Sequence, residues 1–214
     1  MADVRVKVLE PAEKASFLSV REAKLLLGLP VDGGDSIADE TLELQIAIAS
    51  ATIMRLCNRM MAKQKVVETW FDFAATKLFL RHFPIDEDEI EEVTTGRGGG
   101  PLAPGDYALE EESGTLWGFG RFAEPVTITY SGGYKLPDEA PLDLKQATLL
   151  MLSQARSQAT RESIEGIRMI AHKDSRVLFF DPNQQTKAAG AGAATRSGIP
   201  AVDALLDHYT RLWA

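Results

Sequence analysis

Apolar residues recur at helical spacing near both ends of this chain and at strand spacing in the middle. Ser19 and Glu22 stand at capping-box spacing, and Val20, Ala23, Leu26 and Leu27 then share one face until Gly28 and Pro30 close the first helix. After a turn at Asp32-Gly33-Gly34-Asp35, Ser36 and Asp39 open a longer helix. In it Leu42, Ile46, Ala49, Ile53, Leu56 and Met60 recur at alternating steps of four and three. Such a seam suits the core helix of a bundle, and it could equally pack against a neighbouring subunit. Leu42, Ile46, Ile53 and Leu56 are the candidate subunit-packing residues.

From Val66 the period falls to two. Val67, Thr69, Phe71 and Phe73 alternate with Val66, Glu68, Trp70 and Asp72, which predicts a strand. Leu78-Phe79-Leu80, Asp106–Leu109, Gly114–Trp117 and Val126–Tyr130 supply further short strands at meander spacing. Pro141 suits the first turn of a third long helix, with Leu144, Ala147, Leu150, Met151 and Ala155 on its apolar face. Ile167–Ala171 and Val177–Phe180 read as a hairpin around Lys173-Asp174-Ser175.

The expected fold is therefore α+β and mainly helical. Residues 1–17 form an irregular or extended arm, and 18–63 with 137–163 form a helical bundle. Residues 64–136 form an inserted antiparallel β module, 164–183 a hairpin, 184–198 a flexible linker and 199–214 a C-terminal helix. In that last helix Val202, Leu205, Leu206, Tyr209, Leu212 and Trp213 share one face. A helix this short is marginal in water by itself, so its apolar face must dock on something. The surface is either the chain's own core or a groove in another protein, and the loose Gly/Ala tether favours the second.

Composition changes the picture little. The chain has 214 residues, 45% hydrophobic and 25% charged, which is ordinary for a globular protein. No run is long and apolar enough to cross a bilayer, so no membrane partner is expected. The N-terminus lacks the apolar stretch of a signal peptide, which predicts that the protein stays in the cytoplasm where it is made. Net charge is −8, against a protein that grips nucleic acid over its whole surface. Much of the acid lies at Asp86, Glu87, Asp88 and Glu89. The run reads as a solvated loop or guarded strand edge, or as a negative rim facing DNA or a basic partner.

Candidate chemistry is sparse. The single cysteine, Cys57, sits mid-helix among apolar residues and reads as a buried inert thiol. His82, His172 and His208 have no metal-ligand spacing, and His82 and His208 read as solvent-facing. The Gly96–Pro101 tip lacks the Gly-Lys-Ser/Thr ending of a phosphate loop. No catalytic residue, metal site or cofactor is expected.

Several segments in order resemble the head–tail connector (adaptor, or head-completion) proteins of tailed bacteriophages and gene transfer particles. They are Leu18–Lys24, Cys57-Asn58-Arg59 before Glu68-Thr69-Trp70, and Asp106–Leu109 followed by Gly114-Thr115-Leu116. Val126–Tyr134, Leu136-Pro137 and Pro141–Ala147 complete the set. The likeness covers about residues 17–160 and omits the hairpin and tether. It implies a virion protein at the head–tail interface, forming a ring of twelve subunits under the portal and prolonging the DNA channel. Its partners would be the portal protein, a tail or stopper protein, and genomic DNA passing without specific binding. The resemblance also implies that the C-terminal segment grips the portal. A tail-completion or stopper protein of the same particle is the alternative. A soluble enzyme or ligand-binding domain, with Trp70, Trp117 and Tyr130 lining a pocket, is a rival of another class.

Overall fold

Val4, Val6 and Val8 alternate with Asp3, Arg5 and Lys7, and Asp3–Glu10 is a strand, β1. The sequence alone predicts an irregular or extended arm here. Its alternation is too short to declare itself, and it is fixed by antiparallel pairing with β2 (Gln64–Phe71), from Asp3 opposite Phe71 to Glu10 opposite Lys65. The computed structural model describes residues 3–31, 36–71, 75–162, 169–172, 175–178 and 196–210.

Sheet one runs β1-β2-β7-β4, with β7 at Val126–Gly132 and β4 at Ile90–Thr95. Sheet two runs β3-β6-β5, formed by Lys77–Phe79, Thr115–Gly118 and Tyr107–Glu110. Every pairing in both sheets is antiparallel. Val66, Trp70, Val126, Ile128 and Tyr130 of sheet one meet Leu78, Leu80, Leu116 and Phe122 in one buried cluster. A mainly helical bundle carrying a small β insert is therefore not what this chain forms. Seven strands in two sheets build a core of their own, and one of those strands comes from the N-terminus.

The helical half consists of α1 (Val20–Leu26), α2 (Ser36–Leu56), α3 (Leu142–Glu162) and α4 (Pro200–Leu206). Local chemistry sets the ends of the first two. The Ser19 hydroxyl accepts from the Glu22 N–H while the Glu22 carboxylate accepts from the Ser19 N–H, a complete capping box. Asn58 closes α2 in the left-handed region (φ 53°), with Asn58 N–H donating to the Arg55 carbonyl and Arg59 N–H to the Met54 carbonyl. That is a Schellman stop, with asparagine in the place glycine usually takes.

A short hairpin, β8 (Met169–His172) and β9 (Ser175–Leu178), follows α3. Its strands are offset by about two residues from the predicted ones. Residues 184–195 of the expected linker lie outside the described residues.

The two halves meet at Gly132-Gly133-Tyr134. Gly133 N–H donates to the Pro84 carbonyl, Tyr134 N–H to Met61, and Lys63 N–H to Tyr134, all within 2.9 Å. A Cβ on Gly132 would lie 2.2 Å from the His82 carbonyl oxygen, and one on Gly133 (φ 108°) 2.7 Å from that of Ala62. Only glycine permits backbones to approach this closely.

Candidate assembly surfaces

Strand β2 turns Val66, Glu68 and Trp70 inward, so it delivers a carboxyl to the core between the sheets. Glu68 Oε1 accepts from the Tyr130 hydroxyl at 2.7 Å and from the Arg81 N–H at 3.0 Å, and His82 Nδ1 lies 3.6 Å away. The His82 N–H in turn donates to the Tyr130 oxygen at 3.1 Å. Burial, then the neighbouring Glu68, pushes the Tyr130 pKa well above its ordinary value. His82 is thus buried, a correction to its reading as solvent-facing; its backbone N–H is held by the Tyr130 hydroxyl of sheet one. The cluster ties the segment after β3 to sheet one, and it offers no exposed nucleophile.

The helical seam is occupied within the chain. Leu42, Ile46 and Ala49 pack with Leu18, Ala23 and Leu152, while Ile53 packs with Phe17, Cys57, Leu144 and Ala147, and Leu56 sits partly buried beside it. These side chains build the subunit's own core and are not a surface for a neighbour. Cys57 is fully buried, and burial raises its pKa to about 11, so the thiol is protonated and unreactive at neutral pH.

The C-terminal stripe divides. Val202 and Leu206 are inserted into the cluster of Ile53, Met61 and Leu144, with Leu205 and Tyr209 half-buried against it. Arg196 secures the helix with an ion pair to Asp207 at 2.6 Å. At Val202 and Leu206 the expected docking face is therefore sheltered by its own subunit. The side chains that cover it come from α2, α3 and the segment just after α2: Ile53, Met54, Cys57, Met61, Leu144 and Ala147. Leu212 and Trp213 lie outside the described residues.

Asp86, Glu87 and Asp88 are exposed on a single 3-10 turn that leads into β4, at the edge of sheet one. Glu89 is drawn aside by Lys63, whose ammonium lies 2.5 Å from its carboxylate and holds the Glu89 pKa below the usual range.

Sequence periodicity missed the exposed apolar residues. On α2, Ile37, Leu44 and Ile48 are 58–70% exposed, on the face opposite the core seam. Their spacing of seven and four residues was in the sequence, hidden beneath the stronger inward pattern. On the outer face of sheet two, Phe79 and Trp117 are exposed with Lys77 between them, its ammonium 4.7 Å and 4.2 Å from the two ring centroids. Phe119, at the strand end, is 74% exposed. Trp70 and Tyr130 lie inside the two-sheet core while Trp117 faces outward, so these three aromatics do not line one pocket.

The clefts are shallow and open. One of about 430 Å³ is lined by Lys14, Lys63, Lys65 and Lys135 interspersed with Glu10, Glu13 and Asp138. Another of about 410 Å³ lies beside Arg59, Arg81 and His82. Among the described residues no group of three or more His, Cys, Asp or Glu side chains could hold a metal ion. Among them, too, no helix is long and apolar enough to cross a membrane.

By its fold the chain is an α+β protein in which, among the described residues, a four-stranded and a three-stranded antiparallel sheet and a two-stranded hairpin accompany four helices. No family model matches the sequence, and no curated protein matches it. Chains of similar fold occur in solved structures, among them the following. The neck of an empty GTA particle computed with C6 symmetry matches with a TM-score of 0.59 and 16% identity, over 98% of this chain and 97% of that one. The virion of a native gene transfer agent (GTA) particle matches at 0.53 and 16%, over 98% and 96%. The neck of a native GTA particle computed with C12 symmetry matches at 0.52 and 14%, over 98% and 97%. At these identities the likeness is one of fold.

Proposed function

We propose that this chain is a structural component of a virion neck, and more narrowly a ring-forming adaptor between the capsid portal and the tail. The observation that carries the reading is the fold shared over 98% of the chain with a chain from a GTA particle neck. Necks of such particles are computed with C6 and C12 symmetry, which supports a homo-oligomer, and a ring of twelve copies is part of the proposal. The action is docking, without catalysis.

In this reading the exposed acids Asp86, Glu87 and Asp88, with Glu89 behind them, face the DNA path. Like charge lets a duplex slide by without the salt-sensitive adhesion of a basic surface. The portal contact falls to the C-terminal segment. Val202 and Leu206 hold α4 to its own subunit, so Leu212 and Trp213, with the half-buried Leu205 and Tyr209, are the portal-facing residues.

Locating the protein in particle images tests the assignment. Density for this chain between portal and tail supports it, and a position farther down the tail favours the stopper alternative. Deleting residues 211–214 tests the portal contact: the protein stays folded and no longer joins the head. Normal attachment of the shortened protein overturns that part.

A further inference from the structure

Residues Arg196–Thr210 form a unit whose polar groups close on one another. The Arg196 guanidinium donates to Asp207 Oδ1 at 2.6 Å and to Thr210 Oγ1 at 3.2 Å. The Ser197 N–H donates to Asp203 Oδ1 at 3.0 Å, and the Thr210 hydroxyl to the Leu206 carbonyl at 2.9 Å. Toward the rest of the subunit the unit presents apolar side chains. Val202 and Leu206 are buried, and Ile199, Leu205 and Tyr209 pack half-buried beside them. Polar ties leading out of it include the Tyr209 hydroxyl to Asp143 and Thr210 to the Cys57 thiol. The unit is thus shaped locally, and its seat is an apolar groove of Phe17, Ile53, Met61, Leu144 and Ala147.

The groove lies near the start of α3, while the chain leaves α3 at Glu162. From Leu144 to Glu162 the helix rises roughly 25 Å, a gap that about eight extended residues close. Residues 163–195 supply several times that length, enough when fully extended to span roughly 100 Å. Return to the chain's own groove uses a small part of this reach. A long connection also weakens the advantage of a segment's own groove over an identical one beside it, because effective concentration falls with linker length.

We infer that in the assembled ring the Arg196–Thr210 unit of each copy seats in the groove of the neighbouring copy, while the free subunit fills its own. The occupant is the same segment of a second copy, and its fit is the one the subunit already displays. A head-to-tail exchange of this kind repeats around a ring and closes with it. It gives the ring an apolar contact that the α2 seam does not, since that seam is used inside the subunit. Exchange turns a core contact into one between copies without exposing new apolar surface. The inference rests on the ring reading given above and says how neighbouring copies are tied.

Asp143→Cys and Tyr209→Cys, in full chains carrying Cys57→Ala, place one thiol on each side of the contact. The two single variants are mixed, and the double variant is prepared separately. Each sample is concentrated, separated by mass and treated with a short bismaleimide. In ring fractions the mixture is expected to give a covalent heterodimer and the double variant a ladder, while monomer fractions of the double variant give intrachain product alone. Thr210→Cys against the native Cys57 is a second pair, read by disulfide formation, should Tyr209→Cys disturb the fold. Rings that yield only intrachain product with both pairs overturn the inference. So does a chain that stays monomeric at every concentration. Rings cross-linked between chains but absent from particle necks sink the neck assignment and leave the exchange standing.

Discussion

The Tyr130 hydroxyl donates to Glu68 Oε1 at 2.7 Å in the middle of the two-sheet core, joining β7 to β2 by side chains as well as by their backbone ladder. A buried polar group stripped of its partner keeps its desolvation cost and loses the compensation. Tyr130→Phe should therefore lower stability by about 1–3 kcal/mol, read as a lower urea midpoint with an unchanged slope. Glu68→Gln keeps an acceptor for the hydroxyl and for the Arg81 N–H, and should cost less than Tyr130→Phe.

Leu206 is 2% exposed and sits with Val202 among Ile53, Met61 and Leu144. Leu206→Ala leaves a cavity in that cluster and should cost about 2–5 kcal/mol in chemical denaturation. Truncation at Gly198 removes both core residues and should destabilise the whole helical half. An unchanged unfolding midpoint in either variant would show that α4 does not pack where it is placed.

Gly132→Ala drives a Cβ toward the His82 carbonyl at the crossing between the two halves. Overpacking of this kind costs about 1–3 kcal/mol, seen as a lower melting temperature. Gly133→Ala meets the Ala62 carbonyl and adds the strain of a positive φ, so it should be the more damaging of the two.

The Lys145 ammonium lies 2.5 Å from Glu22 Oε1 and ties α3 to the capping box of α1. Burial acts to raise the Glu22 pKa, but the hydrogen bonds from Lys145 and Ser19 together outweigh it, and the net shift is downward from 4.5. A carboxylate with a lowered folded-state pKa adds stability that is present above its unfolded value and disappears as pH falls through the folded one. The wild type should therefore lose more stability than Glu22→Gln on acidification from about pH 5 to about pH 3. Parallel curves of unfolding free energy against pH for the two proteins would rule the link out.

Local signals carried the helices. Ser19 and Glu22 announce their capping box three residues apart, and the inward seam of α2 repeats over its whole length, so both were legible along the chain. The C-terminal apolar stripe was equally legible, but its shelter was not, because periodicity shows that a face is buried without showing by what. The acidic turn before β4 was visible as a run of like charge, and its place on a sheet edge came only from the pairing of β4 with β7.

The sequence by itself determined where α1, α2 and α3 begin, the isolated cysteine and the run of negative charge, since each is set by residues within a turn or two of one another; it overran the ends of α2, which stops at Leu56 short of Met60, and of the last helix, which stops at Leu206. Tertiary structure alone decided that Asp3–Glu10 joins a sheet, that Glu68 and His82 belong inside, and that Val202 and Leu206 fill their own subunit's core. It also decided which apolar residues of α2 and sheet two stay in solvent. Those outcomes depend on contacts between segments far apart in the chain, where the burial gained by one pairing competes with every other that the same residues could make.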